Sequence, residues 1–311
     1  MGILTGLGRW LGLAQSPDPA TRQAIARAVE TVDPLLKVVS GYERKLAPAV
    51  RRALDHCAEL AAAIPGPVDI SSRAFGADPL VHAMFAAPSE IAEMLGRSRE
   101  VRKFLAESGQ SETEDFFALL GMRQREKTVM GMALRGETLQ TQVPQVLLCF
   151  ADHTLGELGG SHEITRQRLQ AAAFDSLIHG FAGCVAEFRQ ERNGGSDERD
   201  VAQAGDADRQ QGLVKCPAIV SLAPEDLLHA LIEWLATPQE HLYLQPTEVI
   251  VDHMGVISPN AVAEGNFSTL KFPRLVGRDR RQWIVLVTRI SRQDAVNAVR
   301  SQEQANRFLL I

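Results

Sequence analysis

Apolar residues recur at helical spacing from the start of the readable pattern. Ile25, Val29, Val32, Leu36 and Val39 fall on one stripe, which Pro34 kinks or ends. A second stripe, Tyr42, Leu46, Ala49, Ala53, Cys57, Leu60 and Ile64, predicts a long helix that Pro65-Gly66-Pro67 stops. Two helices with so short a join are expected as an antiparallel hairpin. Asp78-Pro79 is a helix start, with a capping side chain followed by proline at the first turn. Ser89 opens another helix, whose apolar face runs from Ile91 to Leu105 and whose other face carries Arg97, Arg99, Arg102 and Lys103.

Near Phe116 the period changes. Short apolar runs over 116–151, broken by Arg123–Glu126, Arg135–Glu137 and Pro144, predict an antiparallel meander of three or four strands. Gly159-Gly160-Ser161 then caps a helix over 162–192, with Phe174, Leu177, Ile178, Phe181 and Val185 in its stripe. That helix is expected to cover the meander.

Asn193–Gly212 interrupts the pattern. It has no aromatic residue, and five acids face two arginines. Such a segment buries too little apolar surface to offset the entropy of ordering it. It reads as a flexible acidic linker between a 1–192 domain and a smaller 213–311 domain. After it, Pro224 starts a helix. Leu242–Leu244, Val249–Asp252, Val256–Ser258, Thr269–Phe272 and Trp283–Ile290 are strand candidates, and a last helix covers about 293–308. Ile284–Val287 is apolar on both faces, so its strand is expected to be central. Both parts are α+β.

Composition adds limits more than functions. The net charge of −5 gives no global basic field, so no nucleic acid is expected as partner. Cys57, Cys149, Cys184 and Cys216 form no CxxC pair, so reduced thiols in a cytoplasmic protein are expected. The Ala- and Arg-rich composition reads as bacterial. No run reaches the roughly 18 apolar residues of a membrane span. At the start, Ile3, Leu4, Leu7, Trp10 and Leu11 give residues 3–13 an apolar face that could rest on a membrane, with Arg9 its single cation.

Candidate chemistry gathers between Cys149 and Glu163. Cys149 could act as a nucleophile, with Asp152 orienting His153 or His162; the two histidines with a carboxylate could instead hold a metal. The spacing fits no metal motif, and no metal or cofactor is expected. His179 lies beside the long helix's stripe, where a bond to a neighbour accounts for it. Asp252-His253-Met254-Gly255 reads as a hairpin turn whose glycine supplies positive φ. Arg274, Arg278, Arg280 and Arg281 sit between two strands and are candidate binding residues for an anion. There is no P-loop, no GxGxxG after a strand and no GxSxG. The leading expectation is therefore an accessory protein that binds another protein or a second copy of itself. An enzyme or metal-binding protein using the Cys149–Glu163 region, and a peripheral membrane protein attached by residues 3–13, are the alternatives.

Overall fold

The computed structural model describes residues 17–107, 114–135, 138–193, 216–252, 255–257, 267–278 and 282–308. The protein is α+β, with helices leading into an antiparallel sheet. Its contacts divide into two compact units: 1–59, 173–242 and 277–280 form the first, and 60–172, 243–276 and 281–311 the second.

In the first unit, α1 (Pro19–Val32) starts where Asp18 accepts the Thr21 amide at 3.0 Å. Pro34 does not prolong it. Asp33 ends α1 and caps a 3₁₀ turn, Pro34–Val38, by accepting the Leu35 amide. α2 (Tyr42–Ala63) begins here, and its stripe from Leu46 to Cys57 is buried as the periodicity requires. The unit also holds the later part of α7 (His162–Asn193) and α8 (Pro224–Ala236). Phe174, Leu177, Ile178, Phe181 and Val185 are buried. Phe181 meets the Trp234 ring at 5.9 Å, and the indole Nε1 donates to the Leu177 carbonyl at 3.0 Å. The stripe was expected to cover the strands, yet at Phe181 its partner is an α8 tryptophan. By length and composition α7 could cross a membrane, and the five side chains named above are buried within the unit.

Cys184 and Cys216 form a disulfide, with Cα atoms 5.6 Å apart. This corrects the expectation of four reduced thiols. The two residues are 32 positions apart, so no short spacing announces the pair. Cys57 and Cys149 are free. Burial pushes the Cys57 thiol up to about 12, which leaves it unreactive.

The second unit is built on a sheet of order β3-β2-β6-β5-β4. The strands are β2 (Asp115–Arg135), β3 (Thr138–Gly159), β4 (Tyr243–Asp252), β5 (Phe267–Val276) and β6 (Trp283–Ser291). A short β1 (Val68–Asp69) pairs parallel with β6. The expected meander is instead one long hairpin: β2 and β3 pair from Phe117↔Gly159 to Arg135↔Thr138. The charged stretch Arg123–Glu126 and Pro144 lie inside strands. Polar residues there mark solvent exposure, and composition alone does not separate an exposed strand from a turn.

β6 is central, as its two apolar faces predict. Ile284, Val285, Leu286 and Val287 are buried, with β2 and β5 on either side. The two short candidates Leu242–Leu244 and Val249–Asp252 merge into β4. After it, Gly255 takes φ +79° in the turn, so the hairpin reading of Asp252–Gly255 holds. Val256 and Ile257 then bridge to Leu147 and Val251. The pairings thus run from β3 through β2, β6, β5 and β4 back to β3, and the sheet closes on itself.

Strands before and after the acidic segment share this sheet. Asp115–Met122 pairs with Ile284–Ser291 residue by residue. That differs from the division at 192 and 213 read from composition. A polar stretch identifies a connector; it carries no information on which distant strands meet across it. A short α3 (Ser72–Ala77), capped by Ser71 through the Ala74 amide, leads into α4 (Pro79–Met84). The core gathers Phe116, Leu120, Met122, Leu286 and Ile290 with Met84 and Phe85 at the end of α4, Leu95 of α5 (Pro88–Arg97), Phe104 of α6 (Arg99–Ala106) and Ala295 of α9 (Arg292–Phe308). One helix was expected from Ser89 to Leu105. Ser98 splits it by leaving the helical conformation and capping α6 through the Val101 amide.

Candidate functional site

Asp152 and His153 line an open groove of about 570 Å³. Its floor is Phe150–Leu155 of β3, and its walls are Glu90, Met94 and Arg97 of α5 with Arg99 and Glu100 of α6. His153 Nε2 lies 2.8 Å from the Met84 carbonyl, and its ring stacks on Phe85 at 4.7 Å. A carbonyl only accepts, so the proton sits on Nε2. Burial holds the His153 pKa below the ordinary imidazole value, against the pull of the Met84 bond, Glu90 and Asp152.

His162 belongs to a different neighbourhood. At the start of α7 its Nε2 accepts from Arg166 Nε at 3.0 Å, and its ring lies 5.8 Å from that of Phe117. An arginine only donates, so His162 Nε2 is the acceptor in this bond. The two histidines thus serve separate hydrogen bonds. Cys149 is half-buried on β3, opposite Arg125. Among the described residues, no group of three or more His, Cys, Asp or Glu side chains is placed to hold a metal ion. His179 bonds the Asp175 carbonyl one turn back at 2.7 Å, which accounts for it structurally.

The arginine candidates also separate. Arg274 donates to Gln124 at 3.1 Å. Arg278 is nearly buried against α7, donating to the Gly180 carbonyl at 2.7 Å and pairing with Glu187 at 2.6 Å. A Cβ at Gly183 would lie 2.7 Å from its Nη1, so the glycine makes the notch that holds the guanidinium. Arg280 and Arg281 lie outside the described residues, as do His253 and residues 3–13.

The most distinctive surface was not among the sequence candidates. β2 pairs with β6 only as far as Met122. From Arg123 to Arg135 it pairs with β3 alone, and no other described strand runs beside it. Among the described residues, an edge of about 40 Å, at 3.3–3.4 Å per residue, therefore presents backbone donors and acceptors with no second strand partner. Met130 and Met132 on it are 73% and 64% exposed. Thr128–Leu134 and Thr138–Phe150 contain no charged residue.

Nearer the sheet, Arg123, Arg125 and Lys127 are exposed and alternate along β2, so they share one face. Gln124 and Phe150 take the opposite face, toward Arg274 and Phe272. Asp152 reaches both Arg123 and Arg125 at 3.3 Å. It does so from φ +57°, a conformation uncommon for a residue with a Cβ. The alternation R-x-R-x-K is present in the sequence, but a charged run of this composition is shared by turns and exposed strands. No protein-family model, curated protein or solved structure matches the chain.

Proposed function

We propose that this protein works by binding another polypeptide, which adds as a strand to the free edge of β2. The observation that carries this reading is the edge from Arg123 to Arg135, which among the described residues has no second strand partner, with Met130 and Met132 exposed on it. Soluble proteins usually blunt long edges with charge, proline or bulges. Here charge sits at the two ends of the edge, Arg123–Lys127 and Arg135, and the stretch between them, Thr128–Leu134, is uncharged. Strand addition supplies affinity through main-chain hydrogen bonds and specificity through alternate side chains. Loss of charge together with exposed methionine is a composition typical of interface cores.

The catalytic alternative is weakened by the separate hydrogen bonds of His153 and His162. A cytoplasmic location, read from reduced thiols, loses that argument with the Cys184–Cys216 bond, because disulfides persist in oxidising compartments.

Site-specific photocrosslinking tests the binding role. A crosslinker at position 132 should yield a discrete adduct in cells, and one at exposed Asp55 should not. Equal yields from both positions, or none from either, would sink the reading.

A further inference from the structure

Strand addition to β2 leaves the chemistry of the incoming strand open. Resting on that reading, we propose that the strand taken up by β2 is an acidic extended peptide, with carboxylates at alternate positions facing Arg123, Arg125 and Lys127.

Two independent observations meet here. One is the free edge, which fixes the partner's conformation as extended. The other is charge. Arg123, Arg125 and Lys127 alternate on one exposed face in a chain whose net charge is −5. Residues two apart on a strand are about 6.6–6.8 Å apart, and an adjacent strand has the same repeat. Carboxylates at every second position of that strand therefore fall opposite these three cations, as favourable cross-strand pairs. The same face offers one carboxylate of its own, Asp152, shared at 3.3 Å between two guanidiniums. Both arginines and Asp152 are substantially exposed, so these ion pairs are weak and exchangeable. Asp152 lies on β3, on the other side of β2 from the free edge, so it competes from the paired side with a partner's acid for the same two guanidiniums. From Thr128 to Leu134 the edge is uncharged, with Met130 and Met132 exposed, so the part of the incoming strand beside that stretch is apolar.

The test uses the full chain and a fluorescein-labelled peptide about ten residues long. It carries valines at the end that faces Met130 and Met132, and three alternate glutamates at the other end. A second peptide has lysine at each glutamate. Anisotropy titration should show the glutamate peptide binding about tenfold or more tightly than the lysine peptide, the size expected from a few cross-strand charge pairs. Raising the salt should narrow that gap. The variant R125E/K127E should invert the preference, and D152N should tighten the glutamate peptide severalfold by releasing two arginines. Unchanged melting temperatures confirm that the variants fold.

Equal affinity for the two peptides, or a D152N variant that binds no more tightly, overturns the acidic partner while leaving strand addition standing. Failure of both peptides to bind, together with no adduct from position 132, overturns both readings. A dimer seen by sedimentation that persists in R125E/K127E and blocks both peptides identifies a second copy of the chain as the occupant and overturns the acidic one.

Discussion

The two ends of β2 share one strand and have opposite surroundings. From Asp115 to Met122 the strand lies between β3 and β6, and Phe116, Ala118, Leu120 and Met122 are fully buried. Past Met122 one neighbour is gone, and Met130 and Met132 are mostly exposed. Methionine is as apolar at 130 as at 122. The difference shows that side-chain type decides which residues gain by burial, whereas topology decides which of them are buried. A two-stranded ribbon is marginal by itself, so the projecting part depends on the paired part for its order.

Truncation inside the paired half should have the largest effect. Phe116 is fully buried with the Phe104 ring 5.0 Å away, so F116A should cost about 3–5 kcal/mol in denaturant unfolding. A loss under about 1 kcal/mol would mean that the two halves are equally exposed in solution. Hydrogen exchange sharpens the comparison without a mutation. Amides of 116–121 should exchange only with global opening. Outward amides of 125–134 should exchange faster by on the order of a thousandfold. Uniform protection along β2 would show that its edge is already covered.

Acid provides a weaker perturbation. Burial lowers the pKa of His153, and likewise of His241, which is 9% exposed and stacked 3.5 Å from Trp234. Below the ordinary imidazole pKa of about 6.5, the unfolded chain takes up protons that the native state resists. The stabilisation is therefore complete above that pH and declines as pH falls. The melting temperature should drop between pH 7 and 5, and H153Q, which can still donate to the Met84 carbonyl, should drop less. An identical slope in H153Q would remove His153 from this account. The smallest effect belongs to the projecting half: M132A should change stability by no more than about 0.5 kcal/mol. A larger loss would reveal packing at an exposed position.

What the sequence disclosed follows the same division between local and distant. The α2 stripe, the caps at Asp78 and Ser161, the central position of β6 and the Gly255 turn all depend on neighbours in sequence, and all were readable. The length of the β2–β3 hairpin was not, because Arg123–Glu126 and Pro144 have turn-like composition inside strands. The shared sheet and the disulfide were hidden for another reason. Both join residues far apart in sequence, and periodicity does not report such pairings. Of the candidate site, Asp152 and His153 proved to line one groove, while His162 and the described arginines, Arg274 and Arg278, are engaged elsewhere.

The Cys184–Cys216 bond makes a covalent bracket around residues 185–215. A protease that cuts once inside this bracket opens a ring without releasing a fragment. The product keeps the mass of the whole chain plus one water and migrates as a single species until a thiol reductant is added. Under denaturing conditions it then separates into an amino-terminal piece ending within residues 185–215 and a carboxy-terminal piece carrying β4–β6, whereas in the native fold the β2–β6 pairing still joins them. Backbone continuity through the acidic stretch is therefore not what keeps the two halves of the polypeptide together.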